Sequence, residues 1–306
     1  MATPYLRLGT RGSPLALAQA HEAQARLAAD GLDPSAIEIV VVRTTGDLIA
    51  DRPLSEAGGK GLFTKELDEA LIAGAIDFAV HSAKDLPTVL PSELGIAGYL
   101  EREDARDALI CRSGASLESL PQNARFGSAS LRRRAMALRL RPDLEIGLLR
   151  GNVETRLRKV TSGQFDATIL ALAGLKRLRL EDRAAAILST DEFLPAVGQG
   201  AIALVSRHGD RRVASALSPI LDAATGAALA AERAFLDVLD GSCRTPIGGH
   251  ARLVDGRLLF RGQVLSFDGR DAVEISREGL SDTASELGAE AGREIRSRAL
   301  AILADA

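Results

Sequence analysis

The sequence predicts an α/β protein: two α/β units of similar size followed by a smaller C-terminal α+β unit. Three observations carry this. Strand-like apolar runs alternate with helical patterns in the first part of the chain, the alternation restarts after Glu101-Arg102-Glu103-Asp104, and the C-terminal part alternates short strands between two helices. The chain of 306 residues is also too long for one ordinary core.

Residues 5–9 read as a short strand, and Ser13-Pro14 opens a helix to about residue 30, with Ser13 as N-cap and Pro14 in the first turn. Residues 37–42 are an apolar, β-branched run, a buried strand. Residues 44–61 read as a loop ending in Gly58-Gly59-Lys60-Gly61, followed by a helix over 63–74 and a strand over 76–80 that ends at His81. In the second unit, 108–111 and 125–127 are strands, 131–140 a helix capped by Ser130, 145–149 a strand, 153–162 a helix and 167–172 a strand. Residues 201–206 form another strand and 222–240 a long alanine-rich helix. Residues 251–253, 257–265 and 272–275 alternate as a small antiparallel sheet, and 282–304 close the chain as an amphipathic helix. No internal sequence repeat is visible.

The composition is that of a soluble globular protein, 46% hydrophobic and 26% charged. No apolar run reaches membrane-spanning length, and the N-terminus lacks the pattern of a signal peptide. Two cysteines, Cys111 and Cys243, are too few for a disulfide framework or a structural zinc site. The four histidines are scattered without metal-ligand spacing, so no metal is expected. These features place the protein in the cytoplasm.

The net charge of −3 conceals an asymmetry: residues 125–183 hold 14 Arg/Lys against 6 Asp/Glu. A cationic middle in an acidic chain points to a polyanionic ligand. Nucleic acid is disfavoured, because aromatics are only 3% and Trp is absent. Only five lysines stand beside 33 arginines, and two of them lie in Gly-Gly-Lys60-Gly and Ser-Ala-Lys84-Asp loops. A compact ammonium there does a different job from a guanidinium fork.

In parallel sheets ligands bind beyond the carboxyl ends of strands. Arg11 and Ser13 follow the first strand, Lys84 and Asp85 the third, Ser128 and Arg132 a strand of the second unit, and Arg150 another. Cys243 lies in the Gly241-Ser242-Cys243-Arg244-Thr245-Pro246 loop, where Arg244 favours the thiolate. Gly58-Gly59-Lys60-Gly61 is no Walker loop, since the first glycine and the Ser/Thr after lysine are missing. No Gly-x-Ser-x-Gly elbow or Ser-x-x-Lys pair supports a hydrolase.

Eight segments in order, over most of the chain, resemble the porphobilinogen deaminase family. They are Thr10-Arg11-Gly12-Ser13-Pro14, Gly58-Gly59-Lys60-Gly61-Leu62-Phe63, His81-Ser82-Ala83-Lys84-Asp85, Gly127-Ser128-Ala129-Ser130-Leu131-Arg132-Arg133, Leu149-Arg150-Gly151-Asn152, Leu170-Ala171-Leu172-Ala173-Gly174, Pro195-Ala196-Val197-Gly198-Gln199-Gly200 and the Cys243 loop. The resemblance implies two periplasmic-binding-protein-like α/β lobes joined by two crossovers, plus a C-terminal α+β domain. Its boundaries would be 1–99 with 200–217, then 100–199 lining a cationic cleft, then 218–306 carrying the cysteine.

It further implies a transferase of tetrapyrrole (haem) biosynthesis, a hydroxymethylbilane synthase. Four porphobilinogen molecules lose ammonia and condense head to tail on a dipyrromethane cofactor held by Cys243 as a thioether; water then releases 1-hydroxymethylbilane. Asp85 is the implied catalytic group. Lys84, Asp85, Ser128, Ser130, Arg132, Arg133 and Arg150 are implied to hold the cofactor, and Arg11, Ser13, Lys60, Arg150, Arg156, Arg177, Gln199 and Gly200 the substrate. Arg134, Arg139, Arg141, Arg158 and Arg179 are left for the surface, and Cys111 for a buried, inert thiol. The expected partner is porphobilinogen alone, without nucleic acid or membrane, and the expected state a monomer. The rival reading is a non-catalytic two-lobed polycarboxylate-binding protein, which explains the lobes and arginines but not Cys243.

Overall fold

The structure, a computed structural model, describes residues 5–44, 64–239 and 245–304. The first sheet begins with β1 (Leu6–Thr10), flanked in parallel by β2 (Ile37–Val41) and β3 (Phe78–Ser82). Helix α1 (Pro14–Ala29) starts as its sequence dictates: Ser13 Oγ accepts the Ala16 N–H and Pro14 occupies the first turn. It buries Ala20, Ala23 and Leu27 against Leu6, Leu8, Phe78 and Val80 of the sheet. Helix α2 (Lys65–Ile72) covers the other face with Leu67 and Leu71. The sheet is completed by β4 (Leu94–Tyr99) and by β10 (Ile202–Arg207), which returns late in the chain. The order is β2-β1-β3-β10-β4, with β10 antiparallel to both neighbours.

The second sheet repeats this plan. It contains β5 (Asp107–Cys111), β6 (Arg125–Gly127), β7 (Glu145–Gly147), β8 (Ala167–Ala171) and the short β9 (Ala186–Ile187) in the order β7-β6-β8-β5-β9. Here β5 occupies the antiparallel fourth position. Helices α3 (Leu131–Leu140), α4 (Val153–Thr161) and α5 (Leu172–Arg177) connect the strands. Ser130 and Asn152 cap α3 and α4 by accepting the N–H three residues on. In each sheet the reversed strand is the one that follows a crossover from the other lobe, so the two lobes match in topology with no visible sequence repeat.

Helix α6 (Arg211–Leu217) leads to α7 (Ala223–Val238) and then to the antiparallel β11 (Ile247–Val254), β12 (Arg257–Leu265) and β13 (Ala272–Leu280). Asp255 and Gly256 both have positive φ (49° and 77°), the two-residue turn that Asp-Gly favours between β11 and β12. Helix α8 (Ala284–Arg298) packs on α7 so closely that a Cβ on Gly288 would lie 2.0 Å from the Ala231 carbonyl oxygen. The third sheet shares its core with the first lobe: Phe235, Phe260 and Ile295 join Ala79, Tyr99 and Val205 in one cluster. Among the described residues no single helix is long and apolar enough to cross a membrane.

Several elements differ from the sequence reading. β4 was not anticipated, because Gly95 and Gly98 weaken its strand signal; a Cβ at Gly95 would strike the His208 ring at 2.5 Å. Short α5, α6 and β9 fell below the length at which periodicity is readable. β11 and β13 extend well beyond the expected 251–253 and 272–275, carried by backbone pairing with β12. The expected 282–304 helix breaks at Ala299, which separates α8 from α9 (Leu300–Ala304). The expected 44–61 loop lies outside the described residues except at Thr44.

Three parts of the chain meet at Glu232 on α7, which is fully buried. Its carboxylate takes Arg102 of the outward crossover through Nη1 (2.6 Å) and Nη2 (3.2 Å), the Gly198 N–H of the return crossover (2.7 Å) and the Ala251 N–H of β11 (2.7 Å). Arg102 also donates Nε to the Gln199 carbonyl at 2.8 Å. Removing one partner of a buried ion pair leaves the other charge uncompensated, at a cost of about 3–5 kcal/mol. Arg102→Leu should therefore lower Tm strongly, and in urea unfolding an unchanged midpoint would contradict this role.

Candidate functional site

The first lobe contributes the turn after β3. Ala83 N–H bonds the Ala201 carbonyl at 3.0 Å, so the return crossover braces this turn from behind. Gly198, at φ 75°, lies against it, and a Cβ there would come within 2.9 Å of the Lys84 backbone nitrogen. A glycine is required at that contact. The turn exposes Lys84 and Asp85. Arg11 and Ser13, just beyond β1, line a small pocket with Gln19, His81, Ser82 and Asp85. Gln19 is buried and bonds Ser82 Oγ at 2.9 Å. The sequence reading missed it, although a lone glutamine on the face defined by Ala16, Ala20 and Ala23 was a usable signal.

The second lobe brings a buried charge cluster. Asp107, at the start of β5, receives Arg132 Nη2 and Arg133 Nη2, each at 2.7 Å, and Gln199 Nε2 at 3.1 Å. Arg132 also donates to the Leu194 carbonyl at 2.7 Å and stacks over Phe193. Burial alone would push the Asp107 carboxyl up, but the two guanidiniums outweigh it and hold the group at about 2. Ser128 and Ser130 secure the start of α3: Ser130 N–H bonds Ser128 Oγ at 3.1 Å, and Ser130 Oγ accepts the Arg133 N–H.

These two sides face each other. Enclosure, then the Arg133 and Arg156 guanidiniums, bring the Lys84 ammonium down to about 8 against the pull of Asp85 and Asp107, even though solvent reaches the side chain. Arg156 is lowered to about 10 by enclosure, then by Arg133 and Arg150, while Asp85 pulls it up. Asp85 thus acts on a lysine of its own lobe and on Arg156 of the other. His81 is buried and its Nε2 has no hydrogen-bond partner; burial, then Arg11, brings it from 6.5 to about 4.

Other expected residues are placed differently. Arg177 donates Nε to Glu22 on α1 at 2.9 Å and Nη2 to the Gly200 carbonyl at 3.1 Å, a tie between the lobes. Much of the basic middle segment is engaged internally: Arg125 with Asp166, Lys176 with Glu103, and Arg141 with Asp143 and the carbonyls of Leu117 and Leu120. Arg141 is accordingly half-buried, unlike Arg134, Arg139, Arg158 and Arg179, which are exposed. Cys111 is half-buried rather than buried, as it ends its strand; burial pushes its thiol up. Lys60 and Cys243 lie outside the described residues.

Comparison with known proteins adds the family. A profile described as "Porphobilinogen deaminase, dipyromethane cofactor binding domain" matches residues 6–215, and "Porphobilinogen deaminase, C-terminal domain" matches residues 227–297. The chain belongs to the porphobilinogen deaminase family. A porphobilinogen deaminase of Nitrobacter hamburgensis is 59% identical over 293 residues, covering 95% of this chain and 93% of the relative. One from Nitrobacter winogradskyi matches at the same identity and coverage. Partial structural likeness extends to a periplasmic substrate-binding protein of an ABC transporter from Coxiella burnetii (TM-score 0.43, 14% identity, 70% of this chain and 91% of that one). A methionine-bound nutrient-binding protein from Burkholderia cenocepacia has a TM-score of 0.41 at 13% identity, covering 70% and 90%.

Two histidines, His81 and His250, set a pH dependence. His250, half-buried on β11, is also lowered from 6.5 to about 4, chiefly by burial. For both, the unfolded chain takes up a proton before the folded one does, so stability falls as pH drops from 6.5 toward 4. Tm should decline from neutral pH to about pH 5. The decline should be shallower in His81→Gln/His250→Gln; an equal slope in that variant would assign the effect elsewhere.

Proposed function

We propose that this chain carries out the hydroxymethylbilane synthase reaction, with Asp85 as its central catalytic group. One observation supports this most: the Asp85 carboxylate sits at the cleft among Lys84, Arg156 and the neighbouring Arg150. Such a carboxylate accepts pyrrole N–H bonds and stabilises the cation left when ammonia departs from porphobilinogen. It also carries protons to the leaving amine and from the new carbon–carbon bond.

The residues fit a polycarboxylate pyrrole chain. Dipyrromethane, bound through the Cys243 sulfur, supplies the free pyrrole α-carbon on which growth starts. Lys84, Arg150 and Arg156 face the cleft as carboxylate partners, with Arg11 and Ser13 on the first-lobe side, Lys60 in its glycine loop, and Ser128 and Ser130 at the start of α3. Arg132 and Arg133 are engaged by Asp107, yet Arg132 keeps a buried Nε–H without a partner, a donor suited to the cofactor. Gln199 and Gly200 serve the substrate from the return crossover, and Arg177 from the end of α5.

The same reading divides the chain into 1–99 with 200–217, 100–199 and 218–306, and sheet membership supports it. It makes the protein a cytoplasmic monomer with porphobilinogen as its small-molecule partner.

Asp85→Asn should retain the fold and its cofactor mass but lose well over about tenfold in turnover, more than 1.4 kcal/mol of barrier. Porphobilinogen consumption measures this, and near-normal activity would remove Asp85 from the central role. Intact-mass and peptide mapping should find two pyrrole units on Cys243 and none on Cys111. A polycarboxylate receptor would show neither the adduct nor consumption.

A further inference from the structure

The orphaned imidazole of His81 belongs to no catalytic or binding role derived above. It lies on β3, where its backbone pairs with Ala203 of β10, and its ring is 5% exposed. Its Nε2 is buried without a partner. A buried polar atom left unbonded costs stability, so its retention needs a reason. His81 is among the residues lining the pocket that also holds Arg11, Ser13, Gln19 and Asp85. Its neighbours Gln19 and Ser82 bond each other instead.

We infer that His81 Nε2–H donates a hydrogen bond to one side-chain carboxylate of porphobilinogen, the same carboxylate that Arg11 engages. This rests on the function proposed above. Three features of the site select an anion. Arg11 is the charge that acts on His81, so a cationic donor such as the aminomethyl group would meet a like charge there. Asp85, on the same pocket wall, is already assigned to the pyrrole N–H, which leaves the acidic arm of the ring to point toward Arg11 and His81. The ring is neutral at working pH, because burial keeps its ionisation far down. A neutral donor adds direction to the charge supplied by Arg11, and it binds no competing anion strongly by itself.

The assignment makes His81 a binding residue whose loss acts on KM. His81→Leu should raise the KM for porphobilinogen about tenfold or more, the worth of one hydrogen bond to a charged group, while kcat stays within about twofold. His81→Gln, which keeps an N–H at similar reach, should recover most of the loss. The second readout is histidine-ring nitrogen NMR on wild-type holoenzyme, with porphobilinogen halogenated at its free α-carbon so that the chain cannot grow. The His81 Nε2 resonance, assigned through His81→Gln, should shift on saturation with this analogue. An unchanged KM in folded His81→Leu, a loss confined to kcat, or an Nε2 resonance that ignores the analogue would overturn the inference. If the leucine variant does not fold, the wild-type spectrum and the glutamine variant decide. A wild-type enzyme that consumes porphobilinogen with an unresponsive His81 removes only this inference; no consumption at all removes the function on which it rests.

Discussion

The Glu232–Arg102 pair is the constraint on which the rest of the architecture depends. One carboxylate, fully buried, fixes both interlobe crossovers and the first strand of the third sheet. The links continue outward. Gly198, held by Glu232, packs under the Lys84 nitrogen, and Gln199, whose carbonyl takes Arg102, bonds Asp107 with its side chain. The geometry of the turn bearing Lys84 and Asp85 and of the arginine cluster is therefore set by the crossovers beneath them. Buried ion pairs of this kind contribute little net stability compared with apolar packing, but they define one arrangement sharply.

The arginine excess has two uses, and the partners of each side chain separate them. Arg102, Arg132, Arg133 and Arg141 are structural forks that satisfy carboxylates and carbonyls inside the protein. Arg156 and Lys84 remain at the cleft with their ionisation lowered, first by enclosure and then by the guanidiniums beside them. Crowded cations of this kind destabilise one another until an anion arrives, so the cleft favours ligands that bring several negative charges.

Much of this was legible in the sequence. The Ser13-Pro14 cap, the Ser130 cap and the β-branched run at Ile37 announced their elements through local chemistry, and the loop positions of Arg11, Lys84 and Asp85 followed from strand ends. The internal carboxylates were not legible. Asp107 and Glu232 look like ordinary acidic residues, because what distinguishes them is burial against arginines distant in sequence. The role of Arg177 was hidden for the same reason: its partner, Glu22, lies on a helix of the other lobe. β4 was obscured by glycines whose value lies in close approach to His208 and Leu221 rather than in strand propensity.

The reversed strands carry a consequence for synthesis. Among the described residues β4 has no neighbour in its sheet except β10, and β3 waits for the same strand on its open edge. A chain emerging from the ribosome therefore delivers β1 through β4 long before the first sheet can close. The second sheet, whose strands run uninterrupted from Asp107 to Ile187, is completed first. The N-terminal lobe must hold an unpaired edge, with apolar faces still awaiting α7 and the third sheet, until the rest of the chain has been made. The order of assembly inverts the order of translation, and the last segments added are those that seal the first.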